Sequence, residues 1–196
     1  MTTPLTLDDI ADARAYERER DQFRAHVIEL KKKRRVTVGP FVTLVFECRD
    51  TIRFQIQEMA RAERILTDQG IQTELDVYNP LLPGDGRLSA TMFLELTTDD
   101  MLREWLPKLV GVERSVELRM GDHVVPCTPE AGHESQLTRD ETTAAVHYVE
   151  FHLDTAQSDA FATGEVDLAV AHPAYAHQIR LGADTHAELV ADLRST

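Results

Sequence analysis

The chain has 196 residues, enough for one domain with a substantial core. Its 34 acidic against 21 basic residues give a net charge of −13, which argues against nucleic-acid or anionic-membrane surfaces as partners. No run approaches 18 apolar residues, the N-terminal segment lacks the apolar stretch of a secretory signal, and the two cysteines, Cys48 and Cys127, form no CxxC pair, so a cytoplasmic protein is expected.

The first element reads as a long helical arm over residues 6–34, with Thr6 as its cap and Asp8 and Asp9 in its first turn. Tyr16, Phe23, Val27 and Leu30 fall on one narrow stripe, which suggests a helix laid across a partner surface. Lys31, Lys32, Lys33, Arg34 and Arg35 close it as a solvated helix end or a docking patch for an acidic partner. VTVGPFVTLVFEC (36–48) is β-branched and aromatic, and Gly39-Pro40 divides it into two strands or bends one. Asp50 is the expected cap of a helix over 51–67, and a short helix over 71–78 ends at Asn79-Pro80.

From Leu88 onward one pattern is stated twice. A strand in SATMFLEL, a helix over 99–109 and a strand over 116–120 are followed by a strand in AAVHYVEFHL, a helix over 155–162 and a strand over 166–171. Residues 88–127 and 144–181 therefore read as duplicated halves, with a hairpin at Gly121-Asp122-His123 and a polar loop over 128–142. A strand over 178–181 and a helix over 184–193 finish the chain. The expectation is a single α+β domain with a long N-terminal helix and a mixed, mainly antiparallel sheet carrying two strand-helix-strand passages.

On the 51–67 helix, Ile52, Ile56, Met59 and Leu66 define an apolar face that contains Gln55 and Glu63, with Glu58 near its edge. Arg53, Gln57, Arg61 and Arg64 point away. A carboxylate on such a face needs a counter-charge, so Glu63 and Glu58 read either as ion-paired edge residues or as ligand or acid–base groups. Arg49, Arg53, Gln55 and Arg61 form a polar cluster, either a charge lattice or an anion clamp. His147 falls on the core side of its strand and His172 at the end of another. Each reads as a hydrogen-bonded core histidine, or together with Glu63 or Glu58 as a two-histidine, one-carboxylate site for iron or zinc.

Glu130–His133 has Glu-x-x-His spacing but stands in a Pro/Gly loop, outside the helical setting of a di-iron bundle. Cys48, before Arg49 at a helix start, is a candidate redox thiol, whereas Cys127 reads as structural. No Walker A, GxGxxG, GxSxG or HExxH motif occurs, so no catalytic residue is assigned.

KKKRRVTVGPFVTLVFECRDTIRFQIQEMARAERI (31–65), ELDVYNPLLP (74–83), AVHYVEF (145–151) and HPAY (172–175) resemble an uncharacterised bacterial domain-of-unknown-function family. The resemblance covers nearly the whole chain and includes Arg49, Gln55, Glu58, Glu63, His147 and His172. The family's genes neighbour those of rubrerythrin-like proteins and iron–sulfur oxidoreductases, which implies a redox or oxidative-stress setting. Two functions are therefore expected. One is an accessory protein that docks to such a partner through Tyr16, Phe23, Lys31, Lys32 and Lys33. The other is a mononuclear metalloprotein, an iron oxidoreductase among the options. A homodimer built on the N-terminal helix fits either.

Overall fold

The computed structural model describes residues 3–130 and 141–194. The N-terminal arm differs from the single helix expected. Thr6 and Asp9 cap one another around a 3-10 turn, Leu7–Asp9. The chain then straightens, and helix α1, Ala13–Arg34, starts anew at Asp12, whose carboxylate accepts from the Arg14 and Ala15 amides at 2.9 Å each. Two capping residues six positions apart thus produce two elements rather than one.

Strands β1 (Arg35–Val38) and β2 (Val42–Phe46) form a hairpin around Gly39. Helices α2 (Arg49–Glu63) and α3 (Asp68–Tyr78) follow, then β3 (Arg87–Leu94), α4 (Asp99–Lys108), β4 (Val116–Met120), β5 (His123–Pro129), β6 (Val146–His152), α5 (Thr155–Thr163), β7 (Asp167–His172), β8 (Tyr175–Arg180) and α6 (Ala183–Leu193). Cys48, not Asp50, is the cap of α2, with Thr51 bonding back to the Cys48 amide. Helix α2 stops at Glu63 because Arg64 is left-handed, at φ 57°, and the Ile65 amide folds back onto the Ala60 carbonyl at 2.9 Å. Part of the loop expected over 128–142, with His133, lies outside the described residues.

The eight strands among the described residues make one sheet in the order β1-β2-β3-β6-β5-β4-β7-β8, and every neighbouring pair is antiparallel. The sheet curls until its ends nearly meet. The Tyr175 hydroxyl on β8 donates to the Val38 carbonyl at 2.7 Å and accepts from the Phe41 and Val42 amides at 3.2 Å each. Gly39, at φ +72°, is held to glycine there, since a Cβ would come within 2.6 Å of the Tyr175 hydroxyl. Leu44, Phe46, Met92, Val116, Leu118, Val149, Phe151 and Leu168 fill the barrel-like interior, and Trp105 of α4 packs on Phe41 and Tyr175 at the seam. Strand β2 follows the alternation visible in VTLVFE: Val42, Leu44 and Phe46 face inward, leaving Thr43, Val45 and Glu47 on the outer face.

A second apolar cluster, including Leu5, Ile52, Ile56, Leu75, Tyr78 and Leu81, sits between that outer face and helices α2 and α3. Helix α1 then packs over α2. Tyr16 and Val27 are buried, and Phe23 meets Phe54 edge-on at 5.8 Å with Arg53 over its ring at 4.6 Å. The surface under the narrow stripe is therefore the chain's own α2. At its C-terminal end, α1 corrects another expectation. Arg34 is only 3% exposed and pairs with Asp192 at 2.6 Å and Glu188 at 3.2 Å on α6, so it clamps two helices and is not part of a solvated end. Lys33 reaches Glu188 and Lys32 pairs with Glu29 within α1.

Candidate functional site

The four candidate metal ligands stand apart, each with its own environment. His147 Nε2 lies 2.9 Å from both the Thr143 hydroxyl and the Ala144 carbonyl, and burial lowers its pKa. His172 donates from Nε2 to the Val110 carbonyl at 3.1 Å and accepts the Ala174 amide at Nδ1, which fixes its tautomer and uses both nitrogens. Glu58 accepts from Tyr16 at 2.7 Å and from Arg20 through two bonds of 2.8 Å, and those bonds hold its carboxyl below the ordinary range. Glu63 is exposed at the last turn of α2. Among the described residues no group of three His, Cys, Asp or Glu side chains is placed to share a metal ion.

The arginine cluster is likewise divided. Arg49 pairs with Asp9 at 2.7 Å, Arg53 with Glu19 at 2.8 Å and Arg61 with Glu17. These arginines fasten the arm and α1 onto α2, and the guanidinium groups that would bind an anion are already paired with the chain's own carboxylates. Gln57, expected to point away, is buried because the arm covers that face: its amide oxygen accepts from the Ala11 N–H at 2.7 Å and its nitrogen donates to the Ala11 carbonyl at 3.2 Å. Cys48 also differs from its redox reading. Burial pushes its thiol up in spite of Arg34 nearby, and a neutral thiol is a poor nucleophile.

Two cavities flank α2. The first is an open groove of about 550 Å³ between the arm, the start of α1, the end of α2 and the α2–α3 turn. Leu7, Ile10, Ile65, Leu66 and Ile71 supply its apolar surface, and Leu66 is 77% exposed because the left-handed Arg64 ends α2 before the apolar face can continue. Gly70 lets the turn close tightly, since a Cβ there would lie 2.4 Å from Ile65 Cγ2. Arg14 and Arg64 stand on the rim without an ion pair among the described residues.

The second, of about 210 Å³, lies between α2 and the outer face of β2, β3 and β6. Strand register sets its floor: Val45 pairs with Thr91 and Thr91 with Tyr148, so one row of side chains crosses three strands. Glu47, 7% exposed, accepts from Thr91 at 2.6 Å and from Thr51. Tyr78, Tyr148 and Gln55 complete the polar wall, and Lys31 and Arg35 stand at its edge. Burial, with Tyr78 and Glu47 close by, pushes the Tyr148 phenol up to about 12, and burial raises Tyr78 as well. Both phenols are therefore neutral at physiological pH.

With this geometry in hand, comparison with known proteins places the chain. A model of proteins of unknown function, DUF3501, matches residues 4–193. The chain belongs to the DUF3501 family. A crystal structure of a protein of unknown function from Burkholderia pseudomallei K96243 superposes with a TM-score of 0.90 at 37% identity, covering 97% of this chain and 100% of that one. The comparison with curated proteins returns no match. The DUF3501 barrel thus extends to a relative that shares little more than a third of its residues.

Glu47 and the strand residues Thr91 and Tyr148 are absent from the sequence-based candidates. A signal for them exists: Glu47 continues the Thr43–Val45 face of its strand, the face that faces away from the barrel interior. Strand alternation could have marked it as a carboxylate on a covered surface once α2 was known to lie there.

Proposed function

We propose that this DUF3501 protein is a cytoplasmic, non-catalytic accessory protein of a bacterial redox or oxidative-stress module, docking an iron–sulfur oxidoreductase or a rubrerythrin-like protein. The groove beside α2 carries the reading. Exposed apolar surface that is contiguous and rimmed by charge marks interaction sites, whereas isolated surface leucines do not. Leu66 stands 77% exposed beside Leu7, Ile10 and Ile71, and Arg14 and Arg64, which have no ion pair among the described residues, suit a segment that brings apolar side chains flanked by carboxylates. Of the docking candidates Tyr16 and Phe23, Tyr16 is 1% exposed and lines this groove from beneath, whereas Phe23 packs on Phe54 outside it.

The test is co-purification with each of the two partner types, followed by titration. Leu66→Asp is expected to weaken the complex by at least about thirtyfold, the scale of a central contact residue, and Arg64→Glu by less. An undiminished complex with Leu66→Asp removes the groove from the interface. A dimer of this chain that Leu66→Asp turns into a monomer would make a second copy the occupant and replace the redox partner.

A further inference from the structure

The cavity under α2 holds chemistry that docking does not use. A carboxylate offers about four acceptor positions, and Thr51 and Thr91 occupy only two of those on Glu47. Among the described residues no cation pairs with the Glu47 side chain. Arg49, the nearest guanidinium along the chain, pairs with Asp9, and Arg34 turns to Asp192 and Glu188 and takes only the Glu47 backbone carbonyl at 3.3 Å. The N-terminus of α2 offsets part of that buried negative charge, but a carboxylate out of water ordinarily has a counter-ion as well. The missing element is a small positive group.

The surroundings supply the rest of a recognition site. Tyr78 and Tyr148 line the wall next to Glu47, and aromatic faces attract ammonium groups. Gln55 adds an amide, its nitrogen 3.5 Å from the Tyr78 hydroxyl. Ile52, Leu81 and Val45 make the remaining wall apolar. At the edge, Arg35 is turned to Glu95, whereas Lys31 has no ion pair among the described residues. A volume of about 210 Å³ leaves room for a ligand of amino-acid size. Negative charge at the floor and positive charge at the mouth define a ligand charged at both ends.

We propose that this cavity binds a small zwitterion of amino-acid size, its ammonium group on Glu47 between Tyr78 and Tyr148 and its anionic group at Lys31. The proposal stands independently of docking in the groove.

Calorimetric titration of the full chain with glycine, β-alanine and 4-aminobutyrate, against propylamine and butyrate as single-charge controls, tests it. At least one of the three zwitterions is expected to bind one to one and at least about tenfold tighter than either control. Glu47→Gln should weaken zwitterion and amine alike by at least about tenfold, since it removes the charge that both use. Lys31→Met should erase the advantage of zwitterion over amine and leave amine binding unchanged. No heat from any of the zwitterions up to about 10 mM, or binding that survives Glu47→Gln, overturns the proposal. Should Glu47→Gln fail to fold, Lys31→Met at the helix surface decides: an undiminished advantage for the zwitterion overturns it equally.

Discussion

The two cavities share α2 as a wall and are built on opposite principles. In the groove the polar groups are spent on holding the walls together: Gln57 ties down Ala11, Asp12 caps α1, and Glu58 binds Tyr16 and Arg20. What faces solvent is mostly aliphatic. In the cavity on the sheet side, Val45, Thr91 and Tyr148 are fixed by strand register, so their spacing does not depend on side-chain tethers. Groups held by a ladder can present a defined charge pattern to a small molecule. Groups held by an arm can present a shape to a larger one. The difference teaches that one helix can divide recognition by chemistry from recognition by shape.

The comparison breaks most sharply at Gln57. Gln57→Leu strips both partners from the Ala11 backbone and is expected to cost about 2–4 kcal/mol in urea denaturation, with faster proteolysis in the arm. Partner affinity should fall while zwitterion binding stays unchanged. Joint loss of both in a folded variant would make the cavities one unit. Gly70→Ala is a smaller cut. Its Cβ must displace Ile65, at a net cost of about 1–2 kcal/mol once the gain in helix propensity is counted, and it too should spare the sheet-side cavity.

The smallest effect is one of pH. Because Arg20 and Tyr16 depress the Glu58 pKa, the unfolded chain takes up that proton first as the medium becomes acid. The stability Glu58 contributes is complete above its unfolded value, near 4.5, and is lost as pH falls through the folded pKa. Tyr16→Phe should therefore lower stability by about 1 kcal/mol at neutral pH and by less in acid, giving a flatter acid limb in Tm against pH. Equal loss at every pH would mean that the Tyr16 hydroxyl contributes independently of the charge on Glu58.

Local rules carried the fold a long way. The α+β class, the long N-terminal helix, the strands around Gly39-Pro40 and the helix-strand order after Leu88 are all readable from periodicity and punctuation. Element starts were less so, because Thr6, Asp12, Cys48 and Asp50 all stand near helix beginnings and tertiary contacts choose among them. The helical projection failed at Gln57, Glu63 and Leu66 for two physical reasons. The arm buries a second face of α2, and the left-handed Arg64 ends the period before Leu66. The site was harder still. Glu47, Thr91 and Tyr148 meet through pairings separated by 44 or more positions, and no local pattern encodes that meeting.

The seam at Tyr175 has a consequence for the order of events during synthesis. Its hydroxyl meets the Val38 carbonyl across 137 positions, so β1 waits for nearly the whole chain before its outer edge is covered. Until then a nascent chain offers an unpaired strand edge, the kind of surface that captures other strands and that chaperones guard. Closing a loop of that length is slow because much chain must be ordered before the contact rewards it. The last strand to leave the ribosome is thus the one that seals the first, and a ribosome stalled before β8 releases a sheet with its edge still open.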